Sequence, residues 1–155
     1  MKPFYRLFNG GNSDHFYTTD AAERDNAMVK FGYVNEGEIG YLAIGLTAAC
    51  GELRPLFRLW NPSKKDHFYS IDVVERNQLT RQGYQNEGVT GFCTANPACG
   101  ANVPLHRFFN AIVNDHFYTT DANEANAVMK EQPPNYGYEG IACYLWKENV
   151  IDGTC

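Results

Sequence analysis

The chain has 155 residues, with 13 Lys and Arg against 18 Asp and Glu, and it is rich in aromatics, with ten Tyr and ten Phe. That length is enough for one domain with a core of its own. A net charge of −5 with no basic stripe speaks against nucleic acid as a partner, and no apolar run is long enough to span a membrane.

The opening run, Pro3-Phe4-Tyr5-Arg6-Leu7-Phe8-Asn9, alternates: Phe4, Arg6 and Phe8 share one face, Tyr5 and Leu7 the other. The turn Asn9-Gly10-Gly11-Asn12 joins it to a second β-rich run over residues 14–19, and the two read as a hairpin. Asp20 has the character of a helix N-cap, with Glu23 at the capping-box position. A helix over residues 21–31 follows, with Ala27, Met28 and Phe31 along one apolar side and Gly32 as a left-handed stop. A Tyr-rich Glu36-Gly37 step and a short strand over residues 39–44 close the segment.

The same order recurs twice. Pro55-Leu56-Phe57-Arg58-Leu59-Trp60-Asn61 and Pro104-Leu105-His106-Arg107-Phe108-Phe109-Asn110 match the opening run. The tetrad Asp14-His15-Phe16-Tyr17 returns at residues 66–69 and 115–118, and the helix starts return at Asp72 with Glu75 and at Asp121 with Glu124. Pro133-Pro134 ends the third helix early. The expectation is one domain over residues 1–155, with repeats at 3–50, 55–99 and 104–155. Its class is α+β, three ββαβ-like repeats about a pseudo-threefold axis. The runner-up is a β-trefoil, against which the helix in every copy argues.

Five cysteines, Cys50, Cys93, Cys99, Cys143 and Cys155, form no Cys-x-x-Cys pair, so structural zinc is not expected. Two disulfides plus one free thiol fit an oxidising compartment, and five reduced thiols are the alternative. Sequence does not fix connectivity; a symmetric scheme pairs Cys50 with Cys93 and Cys99 with Cys143 and leaves Cys155 free. No apolar targeting segment precedes the first repeat. The protein is read as secreted or extracellular, as a mature chain with an added Met, with a cytoplasmic protein as the other reading.

These motifs carry a resemblance. Arg6, Asn9, Asp14, His15, Phe16, Tyr17 and Thr18, with their counterparts Arg58, Asn61, Asp66 to Tyr69, Arg107, Asn110 and Asp115 to Tyr118, resemble a family of domains of unknown function. That family is built on a Tyr-Arg-Leu-Tyr-Asn … Asp-His-Phe-Tyr-Thr-Thr repeat. The resemblance covers nearly the whole chain. It implies company with secreted bacterial hydrolases and with fungal proteins, but brings no general activity. In architecture alone the stand-alone chain is similar to small fungal lectins.

The tetrad is the strongest candidate for chemistry. On a strand His15 and Tyr17 share one face, Asp14 and Phe16 the other. Asp, His and Tyr offer planar donors and acceptors for sugar hydroxyls and an aromatic face for the C–H patch. They serve equally well as turn, bridge and core residues, and Phe16, Phe68 and Phe117 read as core. Candidate ligand-binding residues are therefore Asp14, His15, Tyr17, Asp66, His67, Tyr69, Asp115, His116 and Tyr118. The loop residues Tyr33, Asn35, Glu36, Tyr84, Asn86, Glu87, Tyr138 and Glu139 join them. Arg6, Arg58 and Arg107 read as structural, stacked on an aromatic and forked to Glu23, Glu75 or Glu124 so as to tie hairpin to helix. No catalytic residue is assigned: neighbours such as Asp14 and His15 point to opposite faces, and no Ser or Cys nucleophile recurs beside the histidines. A metal held on the axis by one Asp-His per copy is weighed and set aside; no metal and no cofactor is expected.

The leading expectation is a multivalent carbohydrate-binding protein, a lectin with up to three similar sites for glycans or glycoproteins. The alternative is a protein-interaction module, such as an inhibitor of a secreted hydrolase, acting through the divergent turns Asn61-Pro62-Ser63-Lys64-Lys65 and Ala111-Ile112-Val113-Asn114. A hydrolase comes third.

Overall fold

A computed structural model describes residues 1–131 and 135–150. The first copy forms β1 (Lys2–Asn9), β2 (Asp14–Thr18), α1 (Ala21–Phe31) and β3 (Val34–Leu42). The second forms β4 (Leu53–Asn61), β5 (Asp66–Ser70), α2 (Val73–Arg81) and β6 (Gln85–Thr94). The third forms β7 (Val103–Asn110), β8 (Asp115–Thr119), α3 (Ala122–Lys130) and β9 (Gly137–Leu145). Pro133, Pro134 and Cys155 lie outside the described residues.

Nine strands in two antiparallel sheets carry the architecture, so the α+β expectation is corrected to a mainly β fold. One sheet has the order β2-β1-β3 and the other β5-β4-β6-β9-β7-β8. The copies are thus not three separate layered units: the second and third share a sheet, through the pair Thr94 and Tyr144, and the first keeps its own. The β-trefoil fares no better, since every copy carries a helix.

The helices explain the correction. A helix earns a layer by burying an apolar stripe. Here α1 buries Ala27, α3 buries Ala125, and α2 buries no residue fully. Met28 and Phe31, expected on the inner side of α1, are 42% and 65% exposed. Local signals do set the helix ends. The side chains of Asp20, Asp72 and Asp121 each accept from two backbone amides of the first turn, and Gly32 closes α1 at φ 73°. Glu23 does not complete a capping box. The hydroxyls of Thr18, Ser70 and Thr119 accept from the cap amides instead, at 3.0, 3.0 and 3.1 Å.

Each hairpin is closed by an Asn: the Asn9 side-chain oxygen accepts from the amides of Gly11 and Asn12, and Asn61 and Asn110 repeat the device. At the far end β3, β6 and β9 converge, through the bridges Tyr41 to Trp146 and Ala43 to Phe92. Leu42, Cys93 and Leu145 are buried there. Gly91 permits this closeness, because a Cβ at that position would lie 2.8 Å from the Leu42 Cβ.

The disulfides are Cys50–Cys99 and Cys93–Cys143, which corrects the symmetric scheme. Each joins cysteines at equivalent places in successive copies, linker to linker and strand to strand, across Cα separations of 5.8 and 6.2 Å. Proximity follows the symmetry of the strands rather than nearness along the chain. Two disulfides fit an oxidising compartment. Among the described residues no helix is long and apolar enough to cross a membrane.

Candidate functional site

The three tetrads meet at the centre of the molecule. β2, β5 and β8 are edge strands of their sheets, yet all of their residues are buried. An open strand edge needs its N–H and C=O groups satisfied. Here side chains of the next copy do it. The Tyr69 hydroxyl accepts from the Tyr17 amide at 2.8 Å and donates to the Tyr17 carbonyl at 2.7 Å. Tyr118 does the same for Tyr69, and Tyr17 for Tyr118, which closes a ring. The tyrosine rings pack edge to face, 5.3–5.5 Å between centroids. Burial pushes the phenols of Tyr17, Tyr69 and Tyr118 well above their usual range.

The aspartates form a second ring. Asp115 Oδ1 accepts from the His15 amide at 2.9 Å, and its Oδ2 lies 2.6 Å from His15 Nδ1. Asp14 serves His67 and Asp66 serves His116 in the same way. Each histidine is therefore paired with an aspartate from another copy, although its sequence neighbour points away from it. The other ring nitrogen, Nε2, of His15, His67 and His116 faces Glu36, Glu87 and Glu139 at 3.9, 3.7 and 3.6 Å. The hydroxyls of Tyr33, Tyr84 and Tyr136 donate to Asp14, Asp66 and Asp115. Burial, with the adjacent carboxylates second, raises these phenols far above their usual range. Oxygens of Asp14, Asp66 and Asp115 lie within 4.8 Å of one another, the spacing of a cation site. Each carboxylate is also fully engaged by its His and Tyr partners, and these bonds account for its burial.

Outside this centre, arginines fasten neighbouring copies. Arg58 forks to Glu23 at 2.8 and 2.9 Å, and its Nε meets Glu87 at 2.8 Å. Arg6 forks to Glu124 and Arg107 to Glu75. The expected tie of hairpin to helix exists, but it joins different copies, and the guanidiniums lie over Phe16, Phe117 and Phe68 of those neighbours. Burial pushes the Glu23 carboxyl up, but the Arg58 fork and the Thr18 hydroxyl outweigh it and hold it below the usual range. Glu124 behaves likewise beside Arg6 and Thr119.

A groove of about 560 Å³ opens where copy one meets copy two. Its apolar wall is Trp60 with Phe16, Phe31, Tyr33 and Ala27. Its polar wall is Glu23, Arg58, Glu87 and His67, with Asp20, Asn12 and Asn26 at the edge. The Trp60 ring lies on the His67 ring, 4.4 Å between centroids. Ala27 gives the groove room: Leu79 and Val128 stand at its equivalent positions in copies two and three, and Phe8 and Phe109 stand where Trp60 is. A further open pocket, on the copy two to copy three side, is lined by Asp72, Glu75, Gln78, Arg107, Glu139 and other residues.

The groove brings together three of the residues singled out from the sequence: Tyr33, His67 and Glu87. Others are placed elsewhere. Asp14, Asp66, Asp115, Tyr17, Tyr69 and Tyr118 are at most 1% exposed, which corrects their reading as ligand-facing, because the tetrad strands are covered on both faces. His15 and His116 are slightly more buried than His67. Asn35 and Asn86 turn back on their own loops, accepting from the amides of Gly37 and Gly88 at 3.0 Å. Glu36 and Glu139 brace Arg6 and Arg107, and Tyr84 is buried. In the third copy Tyr136 makes the bond to Asp115 that Tyr33 makes to Asp14, and Tyr138 stands at the Asn35 position, meeting His106 Nδ1 at 2.9 Å. Trp60, Phe31 and Ala27 were missed as groove residues. The signal for them was divergence between copies, where attention had gone to what recurs.

No curated protein and no solved structure matches the chain. Residues 2–146 match the family described as a domain of unknown function (DUF5648), and the chain belongs to that family.

Proposed function

We propose that the protein binds carbohydrate, as a secreted lectin, and that its principal site is the groove between copies one and two. The observation that carries this reading is an aromatic lining, Trp60 and Phe31, that shares one space of about 560 Å³ with the hydrogen-bonding groups of Asn26, His67 and Glu87. A sugar ring lays its C–H face on an aromatic and turns its hydroxyls edge-on to planar polar groups. A pocket of this volume suits one or two such rings. The equivalent positions in the other copies supply up to two more, unlike sites, and linked weak sites gain by avidity.

This is a reading of binding rather than catalysis. Glu23 is held by Arg58 through both oxygens and Glu87 through one, so the groove offers no pair of unengaged carboxyls to share the acid and nucleophile roles. A glycan array on the purified protein tests it, with saturable binding to one glycan class as the expected result. A blank array, and no cell agglutination, would overturn it. A second reading, a protein-interaction module, draws on the third hairpin turn, where Ile112 is 79% exposed. Replacing residues 111–114 by the turn of copy one removes partner binding on that reading and leaves glycan binding intact on the first.

A further inference from the structure

We infer that the groove between copies one and two selects an amino sugar, a hexosamine unit with a free ammonium group, over neutral and acidic sugars. This rests on the carbohydrate reading above and names the ligand class of that site. Three carboxylates, Asp20, Glu23 and Glu87, line the groove against one guanidinium, that of Arg58. The lining is negative on balance, with the Lys65 ammonium at its rim, 3.2 Å from the Asn12 side-chain oxygen.

Arg58 is already matched by carboxylates: each terminal nitrogen donates to Glu23 and its Nε lies 2.8 Å from Glu87, three of its five N–H groups. A uronate or sialate carboxylate entering the groove would have to compete with Glu23 and Glu87 for that one guanidinium. Glu23 is likewise spent, because Arg58 holds both of its oxygens and the Thr18 hydroxyl donates to one of them. What remains open is acceptor capacity. Asp20 caps α1 through Oδ1, and Glu87 meets Arg58 and His67 through Oε2. For Asp20 Oδ2 and Glu87 Oε1 no hydrogen-bond partner occurs among the described residues. A ring seated on Trp60 therefore finds two carboxylate oxygens without a partner among the described residues, while the nearby Lys65 ammonium is engaged by the Asn12 side-chain oxygen. An ammonium group satisfies them with charge as well as hydrogen bonds.

Calorimetric titration with oligomers of glucosamine, of N-acetylglucosamine and of galacturonate tests this at low and at moderate salt. The glucosamine series binds about fivefold to tenfold more tightly than the N-acetylated one at low salt, and the gap narrows as salt rises. Asp20→Asn keeps the helix cap, since Asn caps as well as Asp. It cuts that preference to about half, read as the ratio of the two affinities. N-acetylglucosamine or galacturonate binding as tightly as glucosamine overturns this inference and leaves the carbohydrate reading standing. Failure of the protein to bind any glycan, here and on the array, removes both.

Discussion

The hydroxyl of Tyr69 caps a backbone amide and a backbone carbonyl of Tyr17 at once, on the open edge of β2. Removing that one oxygen strands two buried polar groups. Tyr69→Phe should therefore lower stability by about 2–4 kcal/mol, read by chemical denaturation, although it deletes no apolar surface. A loss no larger than that of an exposed Tyr→Phe would contradict the ring. The phenols give a second handle. Tyr17, Tyr33, Tyr69, Tyr84, Tyr118 and Tyr136 are held above their usual value near 10 in the folded protein. A group whose folded pKa is raised contributes stability below its unfolded pKa and loses it as pH rises beyond. These six should ionise only as the protein unfolds above pH of about 10, in one cooperative step of phenolate absorbance. At this scale the sequence was legible where partners are local. The Asp20 cap and the Asn9 turn were read correctly because their bonds span two or three residues. The Arg6 to Glu124 fork was not assigned to the right copy, because 118 residues separate the pair.

At the scale of elements, the hairpins dominate and the helices are accessories that complete a groove. The β class was obscured in the sequence because helix signals such as caps and a glycine stop are strong over a few residues. They say nothing about how much a helix will bury. α1 matters less for its buried face than for the small Ala27 it sets in the groove wall. Ala27→Leu installs the residue that copy two has at Leu79. It should leave the fold intact and reduce glycan affinity by at least about tenfold, since a branched side chain then fills the space beside Tyr33. Calorimetry on the variant checks this, with unchanged affinity as the contrary outcome.

At the scale of the whole molecule, each copy completes the buried polar groups of its neighbours. His15 takes its aspartate from copy three, His67 from copy one and His116 from copy two. The Tyr ring runs the other way round, each Tyr amide taking its hydroxyl from the following copy, and two disulfides join successive copies. A fragment of residues 1–50 keeps its three strands in sequence but loses every partner of Asp14, His15 and Tyr17 from other copies. It should be unfolded by circular dichroism at concentrations where the whole chain is folded, and an independently folded fragment would show that the circuit is dispensable. The repeat itself was plain in the sequence. Which copy answers which could not be, because three equivalent tetrads offer the same chemistry to each partner.

The central claim is that ligand enters the groove beside Trp60. Intrinsic fluorescence tests it directly, because the other tryptophan, Trp146, is buried with its indole N–H bonded to the Cys99 carbonyl. Titration with a glycan identified on the array should change the emission saturably, and the change should vanish in Trp60→Phe. A glycan that binds without altering the emission, or a change that survives in Trp60→Phe, would contradict the site.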